Sequence, residues 1–399
     1  MKIIPDIAQA QAEIQALRRD VHAHPELCYE EFRTSDLVAE KLAEWHIPLI
    51  RGLGKTGVVG IIKKGSGARA IGLRADMDAL PMQEMNAFPH ASRHAGKMHA
   101  CGHDGHTAIL LGAARHLALH AQFDGTVYVI FQPAEEGGGG AKAMIDDGLF
   151  EQCPMDAIYG LHNWPGLPAG KFAVTPGALM ASANEFEVLI RGKGGHAAQP
   201  HKSVDSVMAA VQLVQSWQTI VARNLNPNDA AVLSVTQIHA GTANNVIPDE
   251  ARLHGTVRTF SVAVLDVIER RMRELAEHTA AGFGAEVEFN FYRRYPPVIN
   301  HARETAFAVQ VMREMAGAEL VDANTEPSMA GEDFAFFLQH TPGCYIFLGN
   351  GSGEHRDGGH GLGPCNLHNG SYDFNDQLLP IGASYWVHLV VAFLPPAAQ

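Results

Sequence analysis

Thr126-Val127-Tyr128-Val129-Ile130-Phe131, followed by Gln132-Pro133-Ala134-Glu135-Glu136-Gly137, is the stretch on which the architecture turns. β-Branched and aromatic residues make 126–131 a strand, and Pro133 stops it. Outward from it, strands and helices alternate. Residues 70–74 read as a strand ending at Asp76 and Asp78, 107–121 as a helix, 141–147 as a helix closed by Gly148, and 156–161 as another strand. Helical spacing also marks 6–24 and 34–45. Such alternation predicts an α/β layered domain with a mixed, mostly parallel sheet. In such sheets ligands gather at the carboxyl ends of strands.

From about Asn184 the pattern changes. Glu185-Phe186-Glu187-Val188-Leu189-Ile190-Arg191 mostly alternates polar and apolar, the mark of a strand with one wet face. A helix at about 204–222, strands at 231–238 and 251–259, a helix at 262–281 and a strand at 285–292 complete a split βαβ order. This predicts an inserted α+β, ferredoxin-like domain at 184–293. After Pro296-Pro297 the earlier character returns, with a helix from about Glu304 and a strand at 344–348. The first domain, 1–183 and 294–399, is therefore expected to form from both chain ends.

With 399 residues the chain is too long for one compact core, in agreement with two domains. A formal net charge of −13 argues against nucleic acid or an anionic membrane surface as partner. The opening Met1-Lys2-Ile3-Ile4-Pro5-Asp6-Ile7 has no apolar leader, and nowhere do eighteen apolar residues run together. Five scattered cysteines are no disulfide framework, so a reducing, cytoplasmic location is expected.

Chemistry concentrates in Met98-His99-Ala100-Cys101-Gly102-His103-Asp104-Gly105-His106-Thr107, which carries a thiol, three imidazoles and a carboxylate. Thiolate and imidazole are ligands of borderline-soft metals. Further candidates recur at the ends of predicted strands: Glu135 and Glu136 after 126–131, and His162 after Ala157-Ile158-Tyr159-Gly160-Leu161. His368 follows near the C-terminus. The set suits two divalent metal ions (zinc, manganese, cobalt or nickel) sharing a bridging water. Neighbouring residues in extended chain point apart, so one glutamate can hold metal while the other serves as general base. Asp104 and His106 read as supporting groups, and His90, His94 and His99 fall outside the set. Gly137 to Lys142 lacks the order of a phosphate loop, with Ala143 in the hydroxyl position.

Further motifs run nearly end to end. They are Arg18-Arg19-Asp20-Val21-His22-Ala23-His24-Pro25-Glu26, Leu73-Arg74-Ala75-Asp76-Met77-Asp78-Ala79-Leu80-Pro81, Gly194-Gly195-His196-Ala197-Ala198, Asn245-Val246-Ile247-Pro248, Gly331-Glu332-Asp333-Phe334 and Tyr372-Asp373-Phe374-Asn375-Asp376. With the cysteine cluster and Phe131-Gln132-Pro133-Ala134-Glu135-Glu136-Gly137, they resemble the binuclear metallopeptidase family of aminoacylases, carboxypeptidases and dipeptidases. The likeness is nearest to its amidohydrolase branch, the hippurate hydrolases and plant auxin–amino acid conjugate hydrolases. The resemblance implies metal ligands at Cys101, His103, Glu136, His162 and His368, with Glu135 as base. Other branches have a His ligand where this chain has Asp76.

The resemblance also implies that the inserted domain is a lid and dimerisation domain. It offers His196 to the reaction and Asn245 and Arg258 to the substrate, often across a homodimer or higher homo-oligomer. An imidazole there suits an oxyanion, and a guanidinium suits a carboxylate. The expected activity is hydrolysis of the amide bond of small N-acyl amino acids. A dipeptidase or carboxypeptidase, or an N-acetyl-diamino acid deacetylase, is the alternative. A metal-binding scaffold without catalysis would have lost Glu135 or a ligand, and all are present.

Overall fold

A computed structural model of the chain describes residues 1–396, which separate into two compact units. The larger comprises Met1–Gly177, Ile299–Glu326 and the chain from Asp333 onward. The smaller comprises Ala178–Val298 and Pro327–Glu332.

The larger unit is built on an eight-stranded mixed sheet. Its spatial order is Leu49–Leu53, Gly57–Lys64, Gly125–Gln132, Ala70–Asp76, Ala157–Pro165, Gly343–Gly351, Phe172–Ala173 and Val321–Asp322. The four strands from Gly125–Gln132 to Gly343–Gly351 run parallel. Every residue of Ala70–Asp76 is buried, as a central parallel strand covered on both faces requires. The next two long strands pair on opposite sides of it. Its carboxyl end is thus a topological switch point, where the crevice of an open α/β sheet lies.

The hairpin Leu49–Leu53 with Gly57–Lys64, and the C-terminal helix Leu378–Phe393, lie outside the sequence-predicted elements. Gly-Val-Val-Gly-Ile-Ile has no clean period, and Pro380 and Gly382 disguise the helix, although a first turn tolerates proline. The helix after the cysteine cluster is His103–Leu119, beginning four residues before the apolar run suggests. It is buried on nearly every side, packed against helices Gln11–Ala23 and Leu378–Phe393. No helix among the described residues is long and apolar enough to cross a membrane.

The smaller unit has a four-stranded antiparallel sheet in the order Ala231–Ala240, Glu250–Thr259, Ala183–Arg191, Glu286–Tyr295. Helices Ser206–Asn224 and Val262–Phe283 pack on it. Asp205 caps the first of these, its Oδ1 accepting from the N–H groups of Val207 and Met208 at 3.0 Å. Phe186, Val188 and Ile190 alternate inward to meet Leu213, Trp217, Ile268 and Met272. Trp217 is fully buried, packs edge-on to Phe186, and donates from Nε1 to the Met272 carbonyl at 3.0 Å. Trp217→Ala should therefore lower stability by about 3–5 kcal/mol, read as an earlier loss of ellipticity in a urea titration. A shift below about 1 kcal/mol would mean that this core does not depend on the indole.

Candidate metal centre and active site

The cluster of candidate ligands lies within the larger unit and begins with a turn. Gly102 has φ 93°, and a Cβ there would sit 2.2 Å from Asn163 Oδ1, so the position accepts only glycine. The turn sets buried Cys101 just before the helix and His103 at its first position. Cys101 Sγ is 3.4 Å from His162 Nε2, and the ligand atoms of Cys101, His103 and His162 lie within 4.8 Å of one another. Both imidazoles are oriented from behind. His103 Nδ1 donates to the Asp78 carbonyl at 2.8 Å and His162 Nδ1 to the Asn163 carbonyl at 2.6 Å, leaving each Nε2 able to serve as a metal donor. His103 Nε2 is buried without a hydrogen-bond partner.

A second group joins Cys101, Glu136 and His368, and a third joins His103, Glu135 and Glu136. His368 Nε2 is 3.2 Å from Glu136 Oε1, and its backbone N–H donates to the Ala100 carbonyl at 2.8 Å. The C-terminal candidate ligand is thereby fastened to the cysteine loop. The His368 side chain is 55% exposed, whereas Cys101, His103, Glu135 and His162 are all below 10%. Of these groups, His368 is the one that meets solvent.

The acidic pair is presented by a strained turn. Ala134 leaves the strand at φ 53°, a left-handed conformation costing a non-glycine residue roughly 1–2 kcal/mol. The N–H groups of Glu135 and Glu136 then donate to one carboxylate, 3.0 Å to Asp78 Oδ1 and 2.9 Å to Asp78 Oδ2. Burial opposes the Asp78 charge, but His103 and the Glu136 N–H hold its carboxyl below the usual range. Asp78 thus orients both glutamates and His103, a role that sequence spacing did not assign. Its position two residues beyond Asp76, after a predicted strand, was the available signal.

The protein's own field favours a cation here. Burial first, then Glu136, Glu135 and Asp76, push the Cys101 thiol well above its ordinary value. Burial works against a charged His103, yet Asp76 and Asp78 raise it to about 10. Soft and borderline donors crowded by carboxylates, with one orphaned buried imidazole nitrogen, fit divalent metal ions. Such ions would also stabilise the thiolate.

Most other titratable groups nearby are already engaged; His99 is the exception, with both ring nitrogens buried and without a hydrogen-bond partner among the described residues. Asp76 contacts Arg74 Nη1 at 2.6 Å and His106 Nδ1 at 2.6 Å, and His106 Nε2 meets Asn163 Oδ1 at 2.7 Å. Although Asp76, His103 and His106 lie close enough for a metal, both nitrogens of His106 are thereby committed to support. Asp104 pairs with His22 at 2.9 Å and Arg18 at 3.3 Å. His90 stacks on Phe88, and burial lowers His99 to about 4.

In the smaller unit, His196 and Asn245 come together. His196 is paired with Val246, and the Ala197 N–H donates to the Asn245 carbonyl at 3.0 Å. His196 Nδ1 accepts from the Ala198 N–H at 3.1 Å, which leaves Nε2 to carry the ring proton in the neutral form. Arg258 lies elsewhere. It sits near the far end of strand Glu250–Thr259, whose Glu250 end adjoins the His196 loop through Arg191. Eight residues of strand correspond to about 26 Å. Arg258 is half-buried, and burial lowers its guanidinium against the opposing effect of Glu185.

A profile of peptidase family M20/M25/M40 matches residues 72–392. The chain is 41% identical to a hippurate hydrolase of Campylobacter jejuni over 99% of this chain and all of that one. It is 39% identical to an N-acetylcysteine deacetylase of Bacillus subtilis, over 95% of this chain and 96% of that one. Among solved structures it is similar to a dinuclear metal-binding peptidase of the M20 family from Bacillus subtilis. That match has 35% identity and a TM-score of 0.82, and covers 97% and 99% of the two chains.

Asparagine at position 78 would offer one acceptor to two N–H donors. Asp78→Asn should weaken metal binding or turnover about 10–100-fold, measured by competition with a chromogenic chelator and by steady-state kinetics. Unchanged values in both would remove Asp78 from its organising role.

Proposed function

The chain belongs to peptidase family M20/M25/M40 and is a hydrolase acting on amides; from that premise we propose that it cleaves the amide bond of small N-acyl amino acids of the hippurate type. The observation that carries this reading is Glu135, buried and held by Asp78, within one cluster with His103 and Glu136. In this reading Cys101, His103, Glu136, His162 and His368 hold two divalent ions (zinc, manganese, cobalt or nickel). When bound, such ions acidify water and polarise the amide carbonyl. Glu135 takes the proton of the attacking water and delivers it to the departing nitrogen. His196 donates from Nε2 to the oxyanion, Asn245 contacts substrate beside it, and Arg258 clamps the amino-acid carboxylate. The hippurate hydrolase and N-acetylcysteine deacetylase relatives, at 41% and 39% identity, support this choice, with thermostable carboxypeptidases at 36% and 38% behind the carboxypeptidase alternative. Five free cysteines favour a cytoplasmic location.

The separation of His196 from Arg258 along one sheet favours a homodimer in which each site takes these groups from different copies. The smaller unit then acts as lid and dimerisation domain. Its strand Ala231–Ala240 is a sheet edge with Ile238 exposed, and Val207, Met208 and Val211 are exposed on the neighbouring helix.

Glu135→Gln should retain bound metal and lose about 10²–10⁴ of turnover, measured on N-benzoyl, N-acetyl and indole-acetyl amino acids with metal content determined on the same sample. An active variant would reject the base assignment. Mixing inactive His196→Ala and Arg258→Ala proteins under subunit exchange should restore about a quarter of wild-type activity, since half the dimers are mixed and one site in each is intact. No recovery despite exchange would place both residues in the same copy's site.

A further inference from the structure

Behind the acidic pair lies the segment Cys28–Glu31, and it meets the Glu135–Glu136 turn at three points. Cys28 Sγ is 3.0 Å from the Glu136 carbonyl, Tyr29 Oη donates to the Gly138 carbonyl at 2.8 Å, and the Ala134 N–H donates to Glu31 Oε1 at 2.9 Å. The same Glu31 oxygen accepts from the Tyr29 N–H at 2.9 Å. Tyr29 and Ala134 both have left-handed backbones, with φ 63° and 53°. One buried carboxylate oxygen therefore clamps two strained residues, one in each loop. The other oxygen, Oε2, accepts from the Thr56 hydroxyl at 2.6 Å.

We propose that Glu31 is a positioning residue for amide hydrolysis, its Oε1 fixing the left-handed turn at Ala134 and thereby the direction in which Glu135 leaves the strand. This rests on the reading of Glu135 as the base. What the two N–H groups need is an acceptor oxygen at the right reach. Burial, with the charge of Asp78 adding to it and the Thr56 hydroxyl opposing it, pushes the Glu31 carboxyl up to about 7. Cys28 and Tyr29 on its own segment, Thr56, Asp78 and the Ala134 amide are the groups that interact with it. A neutral side chain of equal length is thus close to a form the site already adopts.

Two conservative variants separate reach from charge. Glu31→Gln keeps the acceptor oxygen at its distance and can donate its NH₂ to Thr56 Oγ1. Glu31→Asp keeps the charge but withdraws it by one methylene. On the best substrate of the acyl-amino acid panel, Glu31→Gln should stay within about threefold of wild-type kcat, while Glu31→Asp should lose about 10–100-fold in kcat with KM nearly unchanged. Both should bind wild-type amounts of metal and be assayed well below their melting temperatures. Retained kcat in Glu31→Asp, or an equal loss in Glu31→Gln, overturns the positioning role. Failure of the base reading shows up separately, as turnover surviving in Glu135→Gln.

Discussion

One carboxylate receives two consecutive backbone amides: Asp78 accepts from the N–H groups of Glu135 and Glu136 while its own carbonyl takes the Nδ1 proton of His103. The rest of the site follows from that arrangement. Orientation is supplied by the backbone, where little rotamer freedom remains to be lost. The price is a crowd of like charges around Asp76, Asp78, Glu135 and Glu136. Arg74 and His106 on Asp76, His368 on Glu136 and the amide donors on Asp78 offset part of it. The remaining negative potential at Cys101 and His103 is what a divalent cation neutralises.

Buried charge also ties distant parts of the larger unit together. Arg18 on an N-terminal helix meets Asp104 and Asp373 at 3.3 Å and Asp376 at 2.8 Å. One guanidinium thus joins the helix that carries His103 to the segment just after His368. Arg74 does the same for Asp76 and Asp333. Removing one partner from such a set leaves a charge stranded in the interior, which is far more costly than the pairing is favourable. These networks define which segments lie side by side.

The parts of the fold and site that could be read from the chain have local signatures. Strands Ala70–Asp76, Gly125–Gln132 and Ala157–Pro165 are short apolar runs with clear stops, and ligand-type residues sit at or beside their carboxyl ends. Cys101 and His103 announced themselves by spacing. Glu31, Asp78 and Asn163 did not, because each acts through a partner far away in the chain. Glu31 reaches Ala134 across 103 positions, Asp78 reaches Glu135 across 57, and Asn163 reaches Tyr372 across 209. Hairpin Leu49–Leu53 with Gly57–Lys64 escaped notice for a different reason, since glycines interrupt its pattern. Nothing in local periodicity encodes the approximate length of strand separating His196 from Arg258. That separation emerges only when the register of Glu250–Thr259 against Ala183–Arg191 is known.

The discontinuity of the larger unit bears on how a ribosome delivers this protein. Residues 178–298 carry the sheet and core of the smaller unit and can begin to pack as they emerge, with Pro327–Glu332 the one piece of that unit added later. The sheet of the larger unit must wait for Gly343–Gly351, which inserts between Ala157–Pro165 and Phe172–Ala173. His368 arrives later still, followed by the helix Leu378–Phe393 that covers the helix bearing His103. Any chain interrupted before that point carries an open sheet edge and lacks part of the proposed ligand set. On that proposed set, hydrolytic competence is among the last properties that biosynthesis confers.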